Sequence, residues 1–80
     1  MQYVYLLESI RHPERRYVGQ TNDLRRRLKD HNDGLSLHTA KFAPWRLITY
    51  LAFSDPLKAA DFEVYLKSGS GHAFARKRLW

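Results

Sequence analysis

Three runs rich in β-branched and aromatic residues, QYVYLLES (2–9), RRYVGQT (15–21) and WRLITYLAF (45–53), are all the strand-forming sequence this chain contains. Three strands cannot stand uncovered, so the rest of the chain must supply helices to shield the sheet. The first two runs are joined by a polar segment containing Pro13 and read as a hairpin with a longer loop. The third is introduced by Pro44, stopped by SDP, and nearly continuously apolar, which places it in the middle of the sheet.

The helices are marked by their ends. TNDLRRRLKDHNDG offers Thr21 or Asn22 as N-cap and Gly34 as a C-terminal stop. The segment LSLHTAKFA that follows reads as a loop. Ser54 or Asp55 caps a second helix with Pro56 in its first turn and a glycine-rich end at KSGSG. A short basic helix from about Ala73 to Leu79 closes the chain. The order β-β-α-β-α-α defines one α+β domain over residues 1–80, with helices packed on an antiparallel or mixed three-stranded sheet.

Charge narrows the partners. Fourteen Lys and Arg against eight Asp and Glu leave +6 on 80 residues, a field that favours phosphate polymers. The absence of cysteine excludes disulfides, thiolate metal sites and cysteine nucleophiles and fits a reducing cytoplasm. No stretch approaches the roughly 20 apolar residues of a membrane span, and MQYVYLLES meets an acid too soon for a secretory signal, so a cytoplasmic protein without a membrane partner is expected.

Periodicity sorts the polar residues. At about 100° per residue, Leu24, Leu28 and His31 form the buried stripe of the first helix, whereas Arg25, Arg26, Lys29 and Asp30 point away. Arg27 falls at the edge of the stripe, one turn before His31, so the three consecutive arginines are not equivalent. A core-edge histidine and a buried salt bridge are the plain alternatives for these two. On the second helix Lys58, Asp61 and Tyr65 mark the solvent side, and Glu63 projects roughly opposite, among Ala59, Ala60, Leu66 and Lys67. A carboxylate there must be paired, with Arg27 or Lys67, or must hold a metal. Strand alternation puts Tyr3, Tyr5 and Leu7 on one face and Val4 and Leu6 on the other, and lets Tyr17 and Gly19 share a face. If the hairpin brings Tyr5 and Tyr17 to the same side, two phenols meet beside the arginine helix, and Gly19 leaves room for a backbone or phosphate to approach. Tyrosines serve equally well as ordinary strand formers.

The succession VYLL (4–7), YVGQT (17–21), LRRRLKDHN (24–32), PW (44–45) and FEVYLKSGSG (62–71) resembles the GIY-YIG nuclease superfamily, in particular its small single-domain bacterial members. The family's first tripeptide is matched loosely by Tyr3-Val4-Tyr5, with tyrosine in place of glycine, and the second by Tyr17-Val18-Gly19. The resemblance implies a Mg²⁺-dependent endonuclease, with Mn²⁺ as a substitute, hydrolysing phosphodiester bonds of branched, nicked or damaged DNA in repair or recombination, RNA remaining open. It implies catalytic roles for Tyr5, Tyr17, Arg27, His31 and Glu63, with Glu63 as the metal ligand. One carboxylate is enough for Mg²⁺, which keeps several waters and takes other ligands from the substrate. Arg27 would balance charge on the phosphorane-like transition state. Tyr5 or Tyr17 would activate the attacking water, its pKa lowered by Arg27, the metal, Lys41 or Lys67. Arg25, Arg26, Lys29, Lys41, Lys67, Arg76, Lys77 and Arg78 would bind the nucleic-acid backbone with little base readout. No asparagine follows Glu63, where many catalytic members carry one, so the alternative is a nucleic-acid-binding module of the same fold that cleaves weakly or not at all.

Overall fold

A computed structural model describes all residues 1–80. Strands β1 (Gln2–Ser9), β2 (Arg16–Thr21) and β3 (Trp45–Phe53) form one sheet, with helices α1 (Leu24–Asn32), α2 (Leu37–Ala40), α3 (Pro56–Leu66) and α4 (Gly69–Arg78). The sheet order is β2-β1-β3 and both pairings are antiparallel. The central strand is therefore β1, not β3 as its apolar run suggested. In β1 every residue from Val4 to Leu7 is buried, whereas β3 exposes Arg46, Tyr50 and Ala52. β3 reads as apolar because an edge strand flanked by helices on both faces needs apolar residues too: Leu47 packs toward α1, while the Thr49 hydroxyl donates to the Leu79 carbonyl at 2.5 Å on the other face.

Alternation along β1 divides the interior into two cores. Val4 and Leu6 pack with Ala59, Leu66 and Ala75 of α3 and α4. Tyr5 and Leu7 pack with Trp45 and, less deeply, with Tyr17, Leu24 and Leu28. The sheet thus has helices on both faces, with α1 and α3 on opposite sides.

The helix ends follow from local hydrogen bonding. α1 is capped by Asp23, whose Oδ1 accepts the Arg26 amide at 3.1 Å, rather than by Thr21 or Asn22. Thr21 instead braces the cap, its Oγ1 accepting the Asp23 amide at 3.1 Å. The helix ends in a Schellman motif: Gly34, at φ +76°, donates to His31 O, and Leu35 donates to Asp30 O. α3 starts at Asp55, whose Oδ1 accepts the Leu57 amide at 2.9 Å, with Pro56 in the first position.

Two further expectations change. The glycine-rich segment read as the end of α3 opens α4, which begins at Gly69 rather than near Ala73, because the Ser68 hydroxyl accepts the Gly71 amide as an N-cap. A Cβ at Gly71 would collide with the Tyr65 carbonyl, so glycine is what permits α4 to start this close to α3. The presumed loop after α1 contains the single turn α2, too short to show periodicity.

Candidate active site

The hairpin register sets the two phenols side by side. Tyr5 pairs with Gly19 and Leu7 with Tyr17, so Tyr5 and Tyr17 are diagonal neighbours on one face, with ring centroids 6.3 Å apart. Gly19 has a specific steric reason to lack a side chain. A Cβ there would lie 2.5 Å from Tyr5 Oη, 2.7 Å from Tyr5 Cζ and 2.9 Å from Tyr17 Cε2. The space above Gly19 is therefore filled by the two tyrosines, not left for a phosphate as the sequence suggested.

α1 delivers His31 and Arg27 to the same place. His31 is 0% exposed, and its Nε2 lies 2.8 Å from Tyr5 Oη while its Nδ1 lies 2.6 Å from Thr39 Oγ1. The Tyr17 ring meets the imidazole edge-on at 5.1 Å between centroids. The Asn32 amide holds this end of α1 to β3 by pairing with both main-chain groups of Trp45, and the Trp45 indole holds α2 to the same strand by donating to the Thr39 carbonyl at 2.8 Å.

Thr39, buried at 1% exposure, is a site residue that the sequence did not reveal, because α2 is a single turn and nothing local marks which of its side chains turns inward.

The network assigns the protons. Tyr5 donates to His31 Nε2, His31 Nδ1–H donates to Thr39 Oγ1, and the Thr39 hydroxyl turns toward Ser36 O at 3.5 Å. The reverse direction would leave the Tyr5 hydroxyl proton without an acceptor. Burial pushes the Tyr5 phenol above its ordinary value, against the opposing pull of the Arg27 guanidinium beside it. Burial, with the Arg27 charge adding to it, lowers that of His31. At neutral pH this pair is a neutral phenol bonded to a neutral imidazole.

The three arginines differ as periodicity required. Arg25 and Arg26 are exposed, while Arg27 is half-buried and stands near the Tyr5 hydroxyl, close enough for its charge to act on the phenol. Glu63 lies on the other face of the sheet, on α3, with its side chain 17% exposed. Its Oε1 accepts from Gln20 Nε2 at 2.8 Å and its Oε2 from Lys67 Nζ at 2.6 Å. The carboxylate is thus paired with Lys67 and not with Arg27, yet its charge still raises the Tyr5 pKa across the β2 edge. Gln20 was legible in principle: it alternates with Gly19 and so faces α3.

The remaining cations expected to bind nucleic acid do not converge on the tyrosine cluster. Lys29 pairs with Asp33 on the exposed side of α1, Lys41 is exposed beside the Phe42 ring, and Arg76, Lys77 and Arg78 are exposed on the last turn of α4.

Two phenols, a guanidinium and an imidazole on one side of a glycine-bearing strand, with a carboxylate at its other face, form a site suited to a phosphate and a cation. The chain belongs to the GIY-YIG family: residues 1–77 match the model of the GIY-YIG catalytic domain. It is 35% identical to a structure-specific endonuclease subunit SLX1 homolog of Giardia intestinalis, the alignment covering 76% of this chain and 18% of that protein. It is 34% identical to the structure-specific endonuclease subunit SLX1 of Candida dubliniensis, over 95% of this chain and 28% of that protein. The chain therefore spans less than a third of the length of these two relatives. A UPF0213 protein of Clostridium perfringens is 35% identical over 84% of this chain and 71% of its own length. The solution structure of a UPF0213 protein from Bacillus halodurans superposes with a TM-score of 0.56 at 31% identity, covering 96% of this chain and 84% of that one. No helix is long and apolar enough to cross a membrane.

Proposed function

We propose that this chain is an endonuclease that hydrolyses phosphodiester bonds in DNA, with branched, nicked or flapped DNA as its substrates. The observation that carries this reading is the meeting of Tyr5, Tyr17, Arg27 and His31 at the strand edge behind which Glu63 lies. Membership of the GIY-YIG family supports it, as do relatives named as structure-specific endonucleases.

The roles follow from burial and protonation. Tyr5 is 2% exposed, bonded to His31 and held protonated, which suits it to orienting its neighbours rather than taking a proton from water. Tyr17 is more accessible, and its phenol is the group proposed to polarise the attacking water. Arg27, half-buried near Tyr5, would donate to the phosphate oxygens as charge builds on them. His31 and Thr39 fix Tyr5.

Glu63 suits a divalent cation: it is a largely shielded carboxylate whose one oxygen already attracts an ammonium and whose other is steadied by a neutral amide. A cation that keeps its waters and binds substrate oxygens needs only one such carboxylate from the chain. Mg²⁺, or Mn²⁺ in its place, would be held by Glu63 and would supply Lewis-acid stabilisation of the phosphate and the leaving oxygen. Binding would require Lys67 to swing away.

That requirement favours a second reading, in which the Glu63–Lys67 pair persists and the chain binds nucleic acid without cutting it. The two are separated by an endpoint assay with Mg²⁺ or Mn²⁺ on duplex, nicked, flapped and single-stranded DNA and RNA, comparing wild type with Glu63→Ala and Tyr17→Phe. Cleavage by the wild type alone, abolished by chelator, is the expected result. Equal binding and no cleavage by all three proteins would replace the nuclease with the binding module.

A further inference from the structure

Outside the tyrosine cluster, the β2 edge borders a cavity of about 360 Å³ closed by the ends of α3 and α4. Its floor is apolar: Leu66 and Ala75 are buried, and Trp80 packs against the same core. Its rim carries the cations Arg16, Lys67 and Arg76 together with the His72 imidazole, and no acid is among the lining residues. The acids that pair with rim cations, Glu8 with Arg16 at 3.7 Å and Glu63 with Lys67, do so outside the cavity. Arg16 also braces the aromatic wall, its guanidinium 4.6 Å from the centroid of the Trp80 ring. Arg76 has no acidic partner.

We infer that this cavity is a nucleotide subsite that takes one unpaired nucleotide next to the scissile bond. An apolar, aromatic-walled floor under an acid-free ring of cations matches a flat base that carries a phosphate. The volume lies at the small end for ligand sites, enough for one nucleotide and not for a base pair. Position supplies the rest. Tyr17 lines both this cavity and the tyrosine cluster, and Lys67 lines the cavity while bonding Glu63, so a strand following β2 past Tyr17 reaches the cavity within a residue. A base can enter only by leaving its stack, which costs least where the strand is already unpaired. The subsite would thus select flaps and junctions over continuous duplex. Its placement beside the scissile bond rests on the nuclease reading; nucleotide binding itself does not.

Binding rather than cleavage tests the inference. The whole chain, ¹⁵N-labelled, is titrated with deoxyadenosine monophosphate and separately with inorganic phosphate, following the two indole N–H resonances. Trp45, bonded to the Thr39 carbonyl, is the internal control. Trp80 should shift saturably with the nucleotide and not with phosphate, and Arg76→Glu should weaken nucleotide binding about tenfold. In fluorescence polarisation, flapped DNA should bind more tightly than duplex of equal length at equal salt, and Arg76→Glu should lose that preference. An unmoved Trp80 resonance, an equal response to phosphate, or equal affinity for flap and duplex overturns the inference. A wild type that shows both binding signatures but cuts nothing would support the subsite while removing the nuclease reading.

Discussion

His31 and Thr39 are both buried, and Nδ1 of the imidazole lies 2.6 Å from the threonine hydroxyl. Thr39 is the acceptor that fixes the tautomer in which Nε2 is free to receive the Tyr5 proton. Thr39→Val keeps the shape but strands the imidazole N–H, and should cost about 1–3 kcal/mol by urea denaturation. Thr39→Ser retains the oxygen and should cost clearly less. The ¹⁵N shifts of the His31 ring should report a protonated Nδ1, and a protonated Nε2 would reverse the assigned direction of the chain.

The same burial makes stability fall with acid. The folded state holds the His31 pKa below its usual value, so on acidification through about pH 6.5 the unfolded chain takes up a proton that the folded chain refuses. Stability is full above that pH and declines below it. Tyr5 acts at the other end: its raised pKa means that above about pH 10 the unfolded chain ionises first, and stability again falls. Urea midpoints measured across this range should trace a dome, and His31→Gln should flatten its acid side. An acid limb unchanged by that substitution would assign the decline to other groups.

Gly19→Ala should be costly although the position lies in a strand. The new methyl meets the Tyr5 phenol end-on, and the bond to His31 keeps that phenol from retreating. Overpacking of this kind costs about 1–3 kcal/mol. Tyr5→Phe removes the nearest contact, so the two substitutions should be coupled: the double variant should lose less stability than the sum of the singles. Additive losses in denaturation would mean that the sheet, not Tyr5, absorbs the methyl.

Much of this arrangement was legible in the sequence because it depends on period. Alternation put Tyr5 and Val4 on opposite faces, and the helical angle separated Arg27 from Arg25 and Arg26 and turned Glu63 away from Asp61. What escaped depends on tertiary choice. Whether β1 or β3 lies in the middle is not a local property when both runs are apolar. Ser68 could have capped α4 or ended α3, and only the packing of Gly71 on Tyr65 decides. Thr39 sits in one turn of helix, and the partner it serves is eight residues earlier. Gly19 was singled out correctly as a place of close approach, but what approaches is a tyrosine of the same chain.

The Glu63–Lys67 pair predicts a competition. As a helical i,i+4 pair with Lys67 side chain 56% exposed, it should contribute no more than about 0.5 kcal/mol, so Lys67→Ala should barely alter stability. Its effect should appear in metal dependence. With the ammonium gone, half-maximal cleavage at saturating DNA should need less Mg²⁺, whereas Glu63→Gln should abolish cleavage at any Mg²⁺ concentration. A higher Mg²⁺ requirement in Lys67→Ala would show that the lysine helps to hold the substrate rather than competing with the cation.

The arginine triplet offers the sharpest separation of catalysis from binding. Arg25 and Arg26 are exposed and can meet DNA only as charges near its backbone, so each alanine substitution should weaken affinity and reduce the slope of log K against log salt by up to about 0.9. Arg27 is half-buried against Tyr5, and its fork has a fixed direction. Arg27→Ala should therefore lower kcat by about 10²–10³, the usual cost of removing one preorganised donor from a developing oxyanion, with a small change in affinity. Arg27→Lys should recover little, because an ammonium keeps the charge but not the planar pair of donors. If Arg27→Lys restored kcat, charge alone would suffice at this position, and the direction of the guanidinium fork would have no part in the rate.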